Sequence, residues 1–531
     1  MPGSAGVATR RGAPTIVAVP RVVNQLVVDA PGLAALRRPA DGVIREAPDG
    51  DDAFVAVDGP VRRYRRTLEI TPAEGRYAVR EEIDFSLAIP FWGWLFVPVV
   101  RRPLRRREPP EPTAGPEPAP WWAPPDRFDA RAATVVGLLC TLALVGGYLG
   151  TLITQTITFA ADQFDADDRA QGSTLAAVRV GVLLALVVVA AADRRGRRLL
   201  LVGTAAAAIL VAATGAAAPS LAWLGISQTV ARGLSTALAL LIGIVAAEEL
   251  PAGSRAYGVS VLALTAALGS GMCVWFLPLA DLGPDGWRIL YVIPLLALPL
   301  VAGVGRRLPE SRRFRANVGH DPTPLDRGRL RLLAVSGFLG SMFLAPASQF
   351  QNEFLRTERG FSATRISVFT LITSTPAGIG VAVGGRLADV RGRRLVGAVG
   401  LIGGTVLTVG FYLSSGSALW VTSTLGSMIA AATVPALGVY GPELFPTSKR
   451  GRANGIITVV GVAGSSVGLL LAGALSDGLG SLGAAMLVLA AGPLILAGLV
   501  LAFFPETAHR ELEELNPGDE PVRKGDPRFR T

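Results

Sequence analysis

Between residues 133 and 504 this chain is a succession of apolar runs, each about twenty residues long and each closed off by a short charged knot. About 20 mainly apolar residues make a helix long enough to cross the ~30 Å hydrocarbon core of a bilayer. Within that core every backbone polar group needs an internal partner, which a helix supplies. The spacing predicts twelve transmembrane spans. Spans 1 to 6 are read at 133–158, 171–192, 198–218, 221–247, 256–280 and 287–305. Spans 7 to 12 are read at 331–354, 363–387, 395–414, 418–442, 453–475 and 482–504.

Charge follows the same division. Only 17% of the residues are charged, against about 25% in an ordinary soluble chain. The deficit lies in residues 132–505, whereas residues 1–131 are rich in charge. A net charge of +10 suggests nucleic acid as a partner, but the arginines sit in clusters between the spans, where the positive-inside rule holds loops in the cytoplasm. DRRGRR joins spans 2 and 3, DVRGRR joins spans 8 and 9, and residues 306–331 hold eight arginines. On the opposite side, residues 161–170 carry four aspartates and one arginine, and DLGPDG (281–286) is acidic. The expected protein is therefore a multi-pass inner-membrane protein with both termini cytoplasmic and no nucleic-acid partner. No cleavable leader is read at the start of the chain; span 1 would direct insertion. Cys140 and Cys273 fall inside apolar runs, and His320 and His509 in charged loops, so neither a metal site nor a cofactor is expected.

The charged knots repeat. Asp193, Gly196, Arg197 and Arg198 recur 196 residues later as Asp389, Gly392, Arg393 and Arg394. Pro309 and Glu310 recur at the same offset as Pro505 and Glu506, and Glu248 and Pro251 recur at 195 as Glu443 and Pro446. One offset kept across separate loops predicts two six-helix halves in parallel repeat, related by an axis along the membrane normal. The expected fold class is an all-α membrane protein, twelve transmembrane helices in two parallel-repeat six-helix halves, preceded by a small cytoplasmic domain.

GGRLADVRGRRLVG (384–397) and its shorter copy AADRRGRRLLL (191–201) put a carboxylate beside fixed arginines at a helix end. Glycines let two helix ends approach closely, and charge-assisted bonds there can form in one conformation and break in another. Together with AEELPAGSRAYG (247–258), LPESRRF (308–314), YGPELFPTSKRGRANG (440–455) and FPETAHRELEEL (504–515), these strings are similar to the motifs of the major facilitator superfamily, in particular its sugar porter branch and relatives. The resemblance covers residues 132–515. It implies two halves rocking about a central site, with the carboxylates at the ends of spans 4 and 10 pairing with loop arginines to close the cytoplasmic side. By position the gate comprises Asp193, Arg197, Glu248, Arg255, Asp389, Arg393, Glu443 and Arg450. Two positions depart from the sugar porter pattern. Gly147-Tyr148 is followed by Leu149 where that branch carries Asp or Asn, and SQFQNEF (348–354) spaces its Gln349, Gln351 and Asn352 differently from the branch's Gln-Gln pair. The sugar and proton coupling are both left open by these departures.

Outside the membrane region, residues 62–70 and 76–89 are expected to form a hairpin split by TPAEG. FWGWLFVPVVRRPLRRR (91–107) reads either as an interfacial segment held by anionic lipid or as an element packed inside a small domain. The expected organisation is a cytoplasmic domain at 1–107, a proline-rich linker at 108–131, six-helix halves at 132–305 and 331–505 joined by a linker at 306–330, and a tail at 506–531. Trp121 and Trp122 would suit the headgroup zone, and residues 516–531 lack the composition to fold.

Transport of a small organic solute by alternating access is the expected function, with a co-transported proton open. The competing expectation is a sensor that binds a ligand and signals through residues 1–131. No enzymatic activity is expected; neither HExxH nor a P-loop occurs. Candidate substrate contacts are Gln155, Gln349, Asn352 and two arginines at mid-depth, Arg179 and Arg232. Arginine at that depth is costly unless it faces a polar cavity or a partner, so an anionic solute is one expectation and backbone bonding of the two arginines the other.

Overall fold

The computed structural model describes residues 20–105 except 74, residues 120–316 except 167–173, 175–176 and 179–180, and residues 325–516 except 352, 353 and 362. The chain divides into two compact units, Met1–Trp122 and Ala123–Thr531. Residues 517–531 of the tail expected to be unfolded and residues 108–119 of the proline-rich linker lie outside the described residues.

The first unit is an antiparallel five-stranded sheet in the order β1-β5-β4-β3-β2. Its strands are β1 (Arg21–Val28), β2 (Arg45–Pro48), β3 (Ala53–Asp58), β4 (Val61–Ala73) and β5 (Arg76–Leu87), with helices α1 (Ala30–Leu36) and α2 (Gly93–Leu104). The expected hairpin corresponds to β4 and β5, which pair from Val61↔Leu87 to Ala73↔Arg76 and turn at Gly75, whose φ of 78° favours glycine. In β1 every second residue is buried, which places Val22, Asn24, Leu26 and Val28 on the covered face.

Asn24 is the one polar member of that row, and it opens a buried polar network. Its amide donates to Glu81 at 2.7 Å. Arg66, 1% exposed, is held by Glu46 at 2.7 Å and Glu81 at 3.3 Å and stacks over Phe54. Its remaining hydrogens go to the carbonyls of Leu36 and Arg38, and Tyr64 donates to Glu46 at 2.5 Å. Burial, and then the Glu46 charge, push the Tyr64 hydroxyl well above its ordinary value. A buried guanidinium is tolerable only when its donors are met, and here the two glutamates tie β1, β2, β4 and β5 to one cation.

In the second unit, eleven helices are long and apolar enough to cross a membrane, counted among the described residues and by length and composition. Span 2 is described as a continuous helix only over Val182–Arg195. Span 1 runs further than expected at both ends, Ala130–Gln163; its start is fixed by Asp129, which accepts from Ala132 N–H at 2.7 Å. Four spans expected as single helices are interrupted near prolines. Span 6 is Trp287–Val292 and Leu298–Arg307 around a 3-10 turn holding Pro294, and span 8 is Ala363–Ser374 and Ala377–Arg391, split at Pro376. Span 10 breaks at Ala432, three residues before Pro435, and span 12 at Ala490, three before Pro493. Proline lacks the N–H and its ring crowds the carbonyl four residues back, so a break falls in the preceding turn.

Small residues set how closely helices approach. A Cβ on Gly147 in span 1 would overlap the Ala266 carbonyl of span 5, and one on Gly468 in span 11 would overlap the Met342 carbonyl of span 7. The pairs 1/5 and 7/11 occupy equivalent places in the two halves. Across the halves, span 2 meets span 11 where Gly455 faces Leu186, and span 5 meets span 8 where Gly385 faces Ser260 and the Ala256 carbonyl. Cys273 is buried and Cys140 partly so; both are free.

Candidate functional site

The chain makes the same tight turn twice. Gly196 and Gly392 have φ of 103° and 99°, a region that favours glycine, and each is followed at once by the helix of span 3 or span 9. The first N–H groups of those helices need acceptors. Glu310 accepts from Arg197 N–H at 2.9 Å and also from Arg198, while Glu506 accepts from Arg393 N–H at 3.0 Å and also from Arg394. A Cβ on either glycine would come within 3 Å of these carboxylates. The turn therefore fixes where Arg197 and Arg393 project.

Both arginines are fully buried, and each reaches two carboxylates of its own half. Arg197 bonds Asp193 at 2.6 Å and Glu248 at 3.4 Å within its own half, and donates to the Thr447 carbonyl of the other half at 2.7 Å. Arg393 bonds Asp389 at 3.1 Å and also Glu443 within its half, and donates to the Ala252 carbonyl across the gap. The cross-links between halves are symmetrical. Arg450 of span 11 bonds Glu248 of span 4 at 2.5 Å, and Arg255 of span 5 bonds Glu443 of span 10 at 3.4 Å.

The two aspartates cap helices of the opposite half. Asp193 accepts from the N–H groups of Gly451 and Arg452 at the start of span 11, at 3.1 and 3.0 Å. Asp389 accepts from Ala256 and Tyr257 at the start of span 5, at 3.3 and 2.9 Å. A carboxylate at a helix N-terminus meets unpaired donors and the positive end of the helix dipole together. All eight residues expected from the loop strings thus meet at one end of the bundle, and this structure is closed there. The closure is not fully satisfied: Nε of Arg197, Arg255 and Arg393 is buried without a hydrogen-bond partner among the described residues. Each leaves desolvation uncompensated.

Sequence reasoning assigned no role to Glu310 and Glu506, although their recurrence at one offset was the available signal. It also missed a second layer outside the pairs. Arg313 donates to the Glu248 carbonyl and bonds Glu511 at 2.8 Å and Glu513 at 2.9 Å. Burial alone would raise the Glu513 carboxyl, but Arg313 overcomes it and holds the group below the ordinary carboxylate range. Arg131 bonds Glu249 at 2.8 Å, and Asp126 accepts from Gly253 N–H at 2.7 Å, so the lead-in to span 1 is fastened to the loop between spans 4 and 5.

The expected substrate contacts are not brought together in the same way. Arg179 and Asn352 lie outside the described residues. Arg232, partly buried, donates to the Gly150 carbonyl of span 1. Gln155 is partly buried in span 1, and Gln349 is exposed at the last residue of its helix. Its neighbour Gln351 reaches Thr370 at 3.5 Å. A cavity of about 290 Å³ beside Ile372, Trp420, Val421, Thr424 and Leu425 contains none of these residues. One string with the form of a nucleophile elbow, GSSVG (464–468), lies inside the long helix Arg450–Leu479, where Ser466 donates to the Val462 carbonyl. A nucleophile needs a strand-to-helix turn to be presented, so this string is helix packing.

Residues 332–526 match the sequence model described as Major Facilitator Superfamily. The puromycin resistance protein pur8 of Streptomyces alboniger is 34% identical over 126 residues, 23% of this chain and 25% of that protein. This match spans about a quarter of that relative's length. Among solved structures, the proton:xylose symporter XylE bound to 6-bromo-6-deoxy-D-glucose aligns with a TM-score of 0.63 at 18% identity, covering 74% of this chain and 99% of that one. The human organic anion transporter MFSD10 aligns at 0.58 with 17% identity, covering 69% and 98%. At these identities the structures establish the fold.

Proposed function

From a chain with the major facilitator superfamily fold, whose C-terminal half matches that family's sequence model, we propose a secondary active or facilitative transporter of a small organic solute working by alternating access. The observation that carries this reading is the symmetrical pair of cross-links, Glu248–Arg450 and Glu443–Arg255, with Asp193 and Asp389 capping helices of the opposite half. Among the described residues these bonds join the two halves at one end, and rocking must break them. In this reading twelve spans lie in an inner membrane, and the arginine-rich end faces the cytoplasm.

The substrate class is a finer proposal. By the span boundaries read from the sequence, Arg179 and Arg232 fall at mid-depth in spans 2 and 4 with no acidic residue at comparable depth, which favours an anionic solute such as an organic acid. The bond from Arg232 to Gly150 is its competing use. Flux into proteoliposomes, with and without a pH gradient, tests the whole reading. Accumulation of a carboxylate that is lost in Arg232→Gln at unchanged thermal stability supports the anion. Uptake driven by the gradient adds a co-transported proton. Ligand binding without any flux would overturn transport and leave a sensor.

A further inference from the structure

We propose that α2 (Gly93–Leu104) of the N-terminal unit seats on an anionic bilayer surface, with its aromatic half in the headgroup–acyl boundary and its arginines on lipid phosphates. One face of α2 is fixed to the sheet. Val100 is buried in the core with Val22, Ile83 and Phe85, the Leu104 carbonyl accepts the Asn24 amide at 3.0 Å, and Arg101 donates to the Arg21 carbonyl at 3.2 Å. The other face carries Trp94, Leu95, Phe96 and Val99, which are 69, 46, 43 and 41% exposed. Four large apolar side chains together on a helix already anchored on its opposite side form a patch with no partner in the sheet. At the C-terminal end Arg102 and Arg105 are exposed, and the sequence continues with Arg106 and Arg107.

A short helix with an apolar, Trp-containing half beside a basic half is the composition that lies in a membrane interface. Charge complementarity selects the occupant. Acidic lipid attracts Arg102 and Arg105 and the arginines that follow them in the sequence. Continuity of the chain supplies the rest. Span 1 begins at Ala130, 25 residues after Arg105, so a domain tethered to an inserted helix stays within reach of the bilayer surface without paying for a search. This inference rests on insertion of residues 123–531 but not on transport, so flux measured on the same vesicles separates the two.

The full chain, with Cys140 and Cys273 replaced by alanine, is reconstituted into phosphatidylcholine vesicles with or without phosphatidylglycerol. It carries a nitroxide on Phe96→Cys or, as a reference in an exposed part of β4, on Thr71→Cys. With phosphatidylglycerol present, the label at 96 is expected to collide with oxygen and to be shielded severalfold from an aqueous nickel chelate, while the label at 71 shows the reverse. Arg102→Gln with Arg105→Gln is expected to return the label at 96 toward water, partitioning falling roughly fivefold per arginine at low salt. A label at 96 open to the nickel chelate overturns the proposal. So does one shielded from both reagents, which would mean that protein covers α2. Immersion indifferent to phosphatidylglycerol and to the two arginines overturns the anionic partner.

Discussion

Asp389 shows how one side chain serves two structures. Its carboxylate holds Arg393 within its half and accepts from Ala256 and Tyr257 across the gap. Hydrogen bonds to a charged acceptor are worth roughly 1.5–3 kcal/mol each, so Asp389→Asn should shift the ratio of closed to open states more than tenfold. The expected result in proteoliposomes is a fall in transport with substrate affinity within a few-fold; unchanged transport would reduce the loop to a topology signal. Glu443→Gln should be more severe. It leaves Arg255 and Arg393, both buried, with half their counter-charge, and breaking a buried pair from one side costs about 3–5 kcal/mol. Thermal unfolding in detergent reads that loss directly.

At the scale of elements, prolines and caps decide where helices start and break. The same step also shapes the gate, since Gly196 and Gly392 aim Arg197 and Arg393 only because Glu310 and Glu506 hold the helix starts behind them. The short helix Leu512–Leu515 is fastened to the closed end by Arg313 through Glu513 and Glu511. A carboxyl held below its ordinary value contributes stability that is complete above about pH 4.3 and is lost as pH falls through the depressed value. Protease cleavage after the helix is therefore expected to accelerate on acidification below pH 4.3, and Arg313→Gln should remove most of that pH dependence. Cleavage that does not accelerate anywhere between pH 7 and pH 2 in the unaltered protein would show that Arg313 does not fasten the segment.

For the whole molecule, the two units predict separable behaviour. Residues 1–122 have their own sheet, their own apolar clusters and a self-contained ion network around Arg66. A chain lacking residues 1–120 is expected to insert and to keep ligand-induced thermal stabilisation; failure to insert would make the segment integral to the helical unit. Orientation is checked by labelling. A cysteine at Ser415 should react with an impermeant reagent outside the cell, and one at Gly196 or Gly392 should not, while the opposite pattern would invert the assignment.

Hydropathy and charge determined most of the architecture in advance, because in a bilayer the cost of an unpaired backbone group or a stranded arginine exceeds almost any gain from packing. The expected length of the spans and the expected side of each loop follow from that solvent, and the repeat at 195–196 residues is read directly from the charged strings. The cluster of eight charged residues was legible for a related reason: a charge kept at one offset in two halves points to a place where the halves meet. What the sequence did not determine was which carboxylate meets which arginine between the halves, across 188 to 202 residues of chain. Nor did it reveal that Arg232 has a backbone partner in span 1, or that the aromatic face of α2 stays uncovered. The first two depend on the approach of particular helices, set by side-chain volume at glycines such as Gly147 and Gly385, and the third on which face of α2 the sheet covers; only the folded packing reports either.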